Sequence, residues 1–372
     1  MKKKALVVSL GLRSTAENYG AILQMTSFCN YISNNYGVLP EVLDYHGLNI
    51  KKYGYLKIMT KMLFGNSFKE KIRKFLFSNL IEKRYNSNID FLKRKEKTTK
   101  MYSLESLSDE IFDYDFYIAE SDVIWDPTFR NSGFDPTFFL SLPCFDSGKK
   151  IVYAAGLGNA NFNNEQKKEF NNLIMNLDFL SVREEYSKKY IEDITSLNEV
   201  NCVLDPTLMV DDLYFKSLIG NRIFSKKYVL VYTPAFNNEK LINDAYNYAK
   251  QKNYKVIIIK RVPSIKHFLN TKINISVEKF LNYLNYCETF FCDSYHGVCF
   301  SVQLKKEFYV YEREDGRKIS DLCKRLGLTD RLVTNALNEN RIDYNKVYKK
   351  LLKERKDSKI FLDKCFIEEE SE

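Results

Sequence analysis

The chain holds three histidines, and one stands where proton chemistry is easiest to place. Residues 290–301 read FFCDSYHGVCFS: an apolar run meets Asp293, Ser294, Tyr295, His296 and Gly297, then turns apolar again. An imidazole titrates near neutrality and moves a proton in either direction. At a strand-to-helix junction it also meets the open amides of a helix start, which favour an anion such as phosphate. The plainer use is a turn histidine bonded to its own backbone. A serine–histidine–aspartate triad is a loose alternative, because Ser294 lacks a nucleophile elbow.

Other reactive side chains sit at comparable junctions. ESDVIWDP (120–127) brings Glu120, Ser121, Asp122 and the only tryptophan, Trp125; SVREE (181–185) brings Arg183; LDPT (204–207) brings Asp205. Arginine's planar fork suits a carboxylate or phosphate, although a strand-end arginine beside Glu184 and Glu185 also reads as a surface pair. Asp122, together with Glu120, is a candidate for handling a hydroxyl proton or a cationic centre, or else it closes an Asx turn. Trp125 could stack on a sugar, although a lone tryptophan after a strand is more often core. Asn18 and Gln24 are candidates for lining a cleft, and Asn18 is equally a helix cap. Arg317 and Lys318, ahead of ISDLCKRLGL, are further cations or simply a solvated helix start. His46 and His267 read as structural.

These residues need elements to hold them. Strands are expected at 4–10, 38–45, 114–121, 149–156, 178–184, 200–206, 226–233, 255–260, 289–294 and 307–312. Helices are expected at 18–37, 163–177, 237–251, 276–287, 295–304, 317–327 and 343–356. The alternation predicts parallel sheets with right-handed crossovers. The fold class is α/β, with two Rossmann-like domains facing a cleft. The first domain covers residues 1–215 with a basic helical insertion at about 51–100, the second 226–342, and a C-terminal helix and tail (343–372) packs back on the first. In such sheets ligands bind beyond the carboxyl ends of the strands, where Glu120, Ser121, Asp122, Arg183, Asp205, Asp293, Ser294 and His296 fall.

Composition narrows the classes. With 372 residues, 45% hydrophobic and 28% charged, this is a globular chain of more than one domain. No run approaches the roughly 20 apolar residues of a membrane-spanning helix, and Ala5–Leu10 is too short for a signal-peptide core. Eight scattered cysteines without a CxxC pair read as reduced thiols of a cytoplasmic protein. No zinc or iron–sulfur spacing can be built from them, and no metal site is assigned. Residues 51–100 carry 15 Lys/Arg against 4 Asp/Glu, so the chain's positive charge is concentrated there. Within SFKEKIRKFLFSNLIEKRYNS, Phe68, Ile72, Phe75, Leu76 and Leu80 share a helical face, with Lys83 and Arg84 among the cations elsewhere. Residues 56–84 therefore fit an anionic membrane surface, or a surface helix packed on its own domain. No nucleic-acid motif accompanies the charge, and the oligomeric state is not readable.

Taken in order, NYGAILQ (18–24), ESDVIWDP (120–127), YAAGLG (153–158), SVREEYS (181–187), VLDPTLM (203–209), CDSYHGVCFS (292–301) and GRKISDLCKRLGLTDR (316–331) resemble the polysaccharide pyruvyl transferase family. The resemblance implies a glycosyltransferase-B-like arrangement. It also implies transfer of pyruvate from phosphoenolpyruvate to two hydroxyls of a sugar, forming a ketal and releasing phosphate, with no cofactor required. It points to Asp122, Arg183 and His296 as substrate-handling residues, and to exopolysaccharide or capsule synthesis. The acceptor would be a sugar or lipid-linked oligosaccharide, met by a cytoplasmic enzyme peripheral to the inner membrane face. Two positions depart from the family pattern: Glu120 where glycine is expected, and Ser294 where some members carry arginine. A glycosyltransferase with a nucleotide-sugar donor, or a non-catalytic glycan- or membrane-binding protein, would use the same architecture.

Overall fold

The structure is a computed structural model. It describes residues 2–10, 12, 18–46, 68–127, 133–158, 161–197, 199–234, 238–260, 265–312 and 317–367; the side chains of 68–76 and 265 are not described. The chain forms two parallel sheets. The first contains β1 (Lys4–Val8), β2 (Leu39–His46), β3 (Thr98–Ser103), β4 (Phe116–Glu120), β5 (Lys149–Ala155), β6 (Phe179–Val182) and β7 (Asn201–Cys202). Its order is β3-β2-β1-β4-β5-β6-β7. The second contains β8 (Tyr228–Thr233), β9 (Lys255–Lys260), β10 (Thr271–Lys272), β11 (Thr289–Cys292) and β12 (Phe308–Val310), in the order β10-β9-β8-β11-β12. Each order reverses once, between β1 and β4 and between β8 and β11, and these two switch points are where a doubly wound sheet opens a crevice.

The helices follow from pattern and punctuation. α1 (Tyr19–Tyr36) starts at Asn18, whose side chain accepts from the Gly20 amide, and stops at Gly37, whose φ of 65° suits glycine. Tyr19 through Cys29 are all buried. Three further helices cover the sheets: α2 (Phe68–Lys95), α3 (Asn164–Ile174) and α4 (Glu185–Ile194). The expected strand 200–206 is cut to β7, because Asp205 caps a short α5 (Pro206–Met209). Pro206 sits at a helix start, where its missing N–H costs nothing. The second domain adds α6 (Glu239–Gln251), α7 (Val277–Tyr286), α8 (Tyr295–Gln303) and α9 (Arg317–Leu326). α8 is buried along its whole length, and a Cβ at Gly297 would lie 2.8 Å from Cys292 Sγ, so glycine lets the helix seat on β11.

The last helix, α10 (Tyr344–Phe366), is longer than its expected 343–356. It lies on first-domain residues: Ser358 Oγ accepts from the Leu204 amide at 2.8 Å, and Phe366 sits edge-on to Phe116. One hydrophobic core runs from Ala5 and Phe28 in the first domain to Phe280 and Phe300 in the second. Tyr19 stitches the boundary by stacking on Phe280 and donating to the Ile275 carbonyl at 2.8 Å.

The basic segment differs from its expected form in two ways. It ends in β3, parallel to β2, because TTKMYS is β-branched and aromatic rather than helix-forming. Arg84 does not lie on a solvated face. It is 1% exposed, and its Nη1 faces the second-domain carbonyls of Lys260 (3.1 Å) and Ile273 (3.4 Å). Phe77, Ile81, Ile89 and Leu92 are buried on the same helix. Arg84→Ala is expected to cost about 1–3 kcal/mol, since two carbonyls lose a charged donor. The check is the urea midpoint at unchanged slope; a wild-type midpoint would mean the bonds contribute nothing. Residues 56–67 of the expected membrane-facing segment lie outside the described residues.

Candidate active site

The site lies where the two switch points meet. β4 ends in Glu120, and Ser121 (φ 43°) and Asp122 (φ 55°) follow, both left-handed without being glycine. Consecutive non-glycine residues in that region are strained and are held only by a firm surround. Here the surround is a backbone lattice: the Ser121 amide donates to the Tyr153 carbonyl, and the Gly156 amide to the Asp122 carbonyl at 2.7 Å. A Cβ at Gly156 would stand 2.8 Å from that same carbonyl. Ala154, at φ 56°, marks the matching irregularity in β5.

From the second domain, β11 delivers Asp293, which accepts from Thr233 Oγ1 at 2.9 Å. Ser294 follows as the cap of α8, accepting from the Gly297 amide at 3.4 Å. His296 is in the first turn. Its Nε2 stands 2.9 Å from Gln24 Oε1 of α1 and 3.4 Å from Asp205 Oδ2. Both partners belong to the first domain, so the imidazole is joined to groups from across the domain boundary. Gln24 Nε2 in turn donates to Glu120 Oε2 at 2.9 Å.

Asp205 is the pivot. It accepts from Thr207 and from Arg183 Nη1 at 3.0 Å, while His296 approaches from the other side. Burial opposes its charge, but His296, Arg183 and Thr207 more than offset this and hold the carboxyl well below the usual carboxylate range. Arg183 is enclosed: Nε donates to Glu184 at 2.9 Å, its guanidinium lies 4.3 Å over the Tyr295 ring, and Nη2 stands 4.0 Å from Asp122. Burial penalises its charge too, but Glu184, Tyr295, Asp205 and Asp122 outweigh the penalty and keep it protonated. Arg325 of α9 donates to the Arg183 carbonyl at 3.0 Å, tying the second domain to this corner. Glu120 is different. Burial, with repulsion from Asp205 and Asp122, pushes its carboxyl up to about 8 despite hydrogen bonds to Ser9 and Gln24, so it is mostly neutral at pH 7.

Several expectations change. Gln24, Glu120, Asp122, Arg183 and His296 are linked through one another and Asp205, with Asp293 and Ser294 beside His296 in sequence at the start of α8. Arg183, expected at the surface of a cleft, has 0% side-chain exposure; its Nε and Nη1 are spent on Glu184 and Asp205, while its Nη2 is buried without a hydrogen-bond partner among the described residues. Trp125 is core: it is fully buried, stacks on Phe139, and donates to the Phe138 carbonyl at 3.1 Å, because the turn after Asp122 points it inward. Asn18 spends its side chain on the α1 cap. Ser121 is buried, and Arg317 is exposed at the start of α9, with Lys318 beside it. Asp205, Tyr295 and Gly20 carried no assigned role, and Glu184, expected only as a surface partner of Arg183, pairs with it in the interior. The Asp-Pro signal at 205–206 reads as a helix cap, and Asp205 is that cap as well as the partner of His296. His46 is buried at the end of β2, and His267 is buried near Glu239. Among the described residues no group of His, Cys, Asp or Glu is arranged to hold a metal ion, and no helix is long and apolar enough to cross a membrane.

A pair of doubly wound domains meeting at their strand ends is the glycosyltransferase-B-like class of architecture. The family model for polysaccharide pyruvyl transferase matches residues 18–315, and the chain belongs to that family. No curated protein matches it in sequence. Among solved structures it is similar to a putative UDP-N-acetylglucosamine 2-epimerase from Listeria monocytogenes, at 11% identity and TM-score 0.45, over 96% of this chain and 91% of that one. It is also similar to the UDP-GlcNAc 2-epimerase of Neisseria meningitidis, at 11% identity and TM-score 0.45, over 97% and 94%. A third is the E. coli heptosyltransferase WaaC, at 8% identity and TM-score 0.42, over 96% and 99%.

Proposed function

We propose that this pyruvyl transferase moves pyruvate from phosphoenolpyruvate onto two hydroxyls of a glycan as a ketal, with His296 as the acid/base. The observation that carries the reading is the His296–Asp205 pair at the domain seam, with Asp205 ionised and 3.4 Å from Nε2. Protonation of the donor's methylene carbon by the imidazolium leaves a cationic centre at C2. One sugar hydroxyl bonds to that carbon and releases its proton, the C–O bond to phosphate breaks, and the second hydroxyl closes the ketal with loss of its own proton. Asp122 supplies the carboxylate nearest the accessible side of the seam, with 12% side-chain exposure, and suits either the cationic centre or a hydroxyl proton.

The charge balance of the corner is acidic: Asp122, Glu184 and Asp205 gather around Arg183. The cations that meet the donor's phosphate and carboxylate therefore come from elsewhere, with exposed Arg317 a candidate, helped by the amide-rich start of α8 behind Ser294. The acceptor is proposed to be lipid-linked and reached at the inner membrane face through residues 56–84. Anionic vesicles should pull down the full chain, and should pull down a chain with Lys57, Lys61, Lys69 and Lys71 changed to glutamine less; equal pull-down removes the membrane proposal alone.

The decisive assay incubates the protein with phosphoenolpyruvate and candidate glycans. Pyruvylated glycan by mass spectrometry, with matching phosphate release, is expected. Turnover of a nucleotide sugar with no pyruvyl product would overturn the reading in favour of glycosyl transfer.

A further inference from the structure

We infer that Gln24 and Glu120 are positioning residues that keep the proton of His296 on Nε2, so that Nδ1 is the nitrogen that exchanges a proton with the reacting molecule. This rests on the acid/base reading of His296 given above.

The tautomer follows from counting donors. Gln24 spends its amide nitrogen on Glu120 Oε2 at 2.9 Å, so its oxygen faces His296 Nε2, also at 2.9 Å, and an amide oxygen only accepts. Asp205 Oδ2 stands 3.4 Å from the same nitrogen and is a carboxylate, which also only accepts. Two acceptors aimed at one ring nitrogen require an N–H there. Turning the Gln24 amide over would set its NH₂ against His296 and leave Asp205 facing a bare lone pair, a repulsive contact in a buried corner.

The other nitrogen faces glycine. A Cβ on Gly20 would lie 2.3 Å from Nδ1 and 2.5 Å from Cγ, so only glycine leaves this ring edge uncovered by a side chain. Among the described residues Nδ1 has no hydrogen-bond partner. Gly20 and Gln24 are one turn apart on α1 and so lie on one face: one gives the ring room, and four residues on the other holds its far nitrogen. Glu120 finishes the relay from β4. The residues facing it are Ser9 and Gln24, which hydrogen-bond to it, and Cys29, Asp122 and Asp205, which act on it through charge.

With only three histidines, selective ¹⁵N labelling gives a spectrum that can be assigned by single substitutions. Two-bond ¹⁵N–¹H correlations then report the tautomer without any substrate. Neutral His296 is expected as Nε2–H in the wild type. Gln24→Leu is expected to mix the tautomers and to lower kcat at least about tenfold with little change in KM. Glu120→Gln, which still offers an oxygen to Gln24, is expected to keep the wild-type tautomer signal, and Glu120→Leu to shift it. A wild-type His296 protonated on Nδ1, or a Gln24→Leu protein with wild-type ring signals and kcat, would overturn the inference. Failure of the acid/base reading is separate: the tautomer would be as inferred, yet His296→Gln would turn over normally.

Discussion

His296→Gln is expected to lower kcat for pyruvyl transfer by about 10²- to 10⁴-fold, the usual share of a positioned acid/base, with the fold intact. Glutamine cannot carry a transferable proton near neutrality, but its amide can still bond Gln24 and occupy the seam. The thermal midpoint is therefore expected to move far less than activity does. Phosphate release from phosphoenolpyruvate in the presence of acceptor gives the rate, and thermal unfolding gives the control. Normal turnover would return His296 to the role of a turn residue that braces two domains. A collapse of stability in step with activity would make it a structural link instead, since the proton chemistry requires the two to separate.

Asp205→Asn is expected to affect stability and activity together. The carboxylate has three partners, Arg183, Thr207 and His296, and no solvent to replace them. Its loss leaves Arg183 buried and short of one counter-charge, with Glu184 at 2.9 Å and Asp122 at 4.0 Å remaining. Breaking one side of a buried pair costs about 3–5 kcal/mol, well above the fraction of a kcal/mol expected at a surface pair.

The pH dependence has a definite sign. Asp205 is held below its ordinary range, so its contribution is fully present above the unfolded carboxylate value of about 3.9 and is lost as pH falls through the folded value. The gap in urea midpoint between wild type and Asp205→Asn should accordingly be full at pH 7 and smaller at pH 3. A gap that is absent at pH 7 would mean that neutral partners satisfy Arg183. Glu120 has the opposite sign. Its carboxyl is raised to about 8, so the stability it contributes is present below about 4.3 and declines as pH rises toward 8. Glu96, pushed up to about 8 by burial despite Cys29 and Lys95, adds to the same decline.

Much of the architecture was legible because its signals are local. A β-branched or apolar run such as KVIIIK, or the stop at Gly37, needs no knowledge of the rest of the chain, and β9 and α1 appear where such signals place them. Errors fell where a local reading met a distant neighbour. Arg84 reads as a solvated cation until the second domain supplies carbonyls for it. Trp125 allows a sugar-stacking or a core reading, and Phe138 and Phe139 enclose it as core. Arg183 reads as a strand-end fork until two carboxylates and a tyrosine ring close over it.

The amino-acid sequence by itself determined the two α/β domains, the strand ends at which reactive side chains collect, and the family to which their order belongs. These follow from periodicity, from turn residues and from short motifs, all of which act within a few residues. The tertiary structure alone decided which of those side chains share a site and in what state. Gln24 and His296 are 272 residues apart in the chain and 2.9 Å apart in space. Whether a carboxyl there is charged, as Asp205 is, or mostly neutral, as Glu120 is at pH 7, depends on burial and on the charges that folding brings near it. No spacing along the chain encodes that balance.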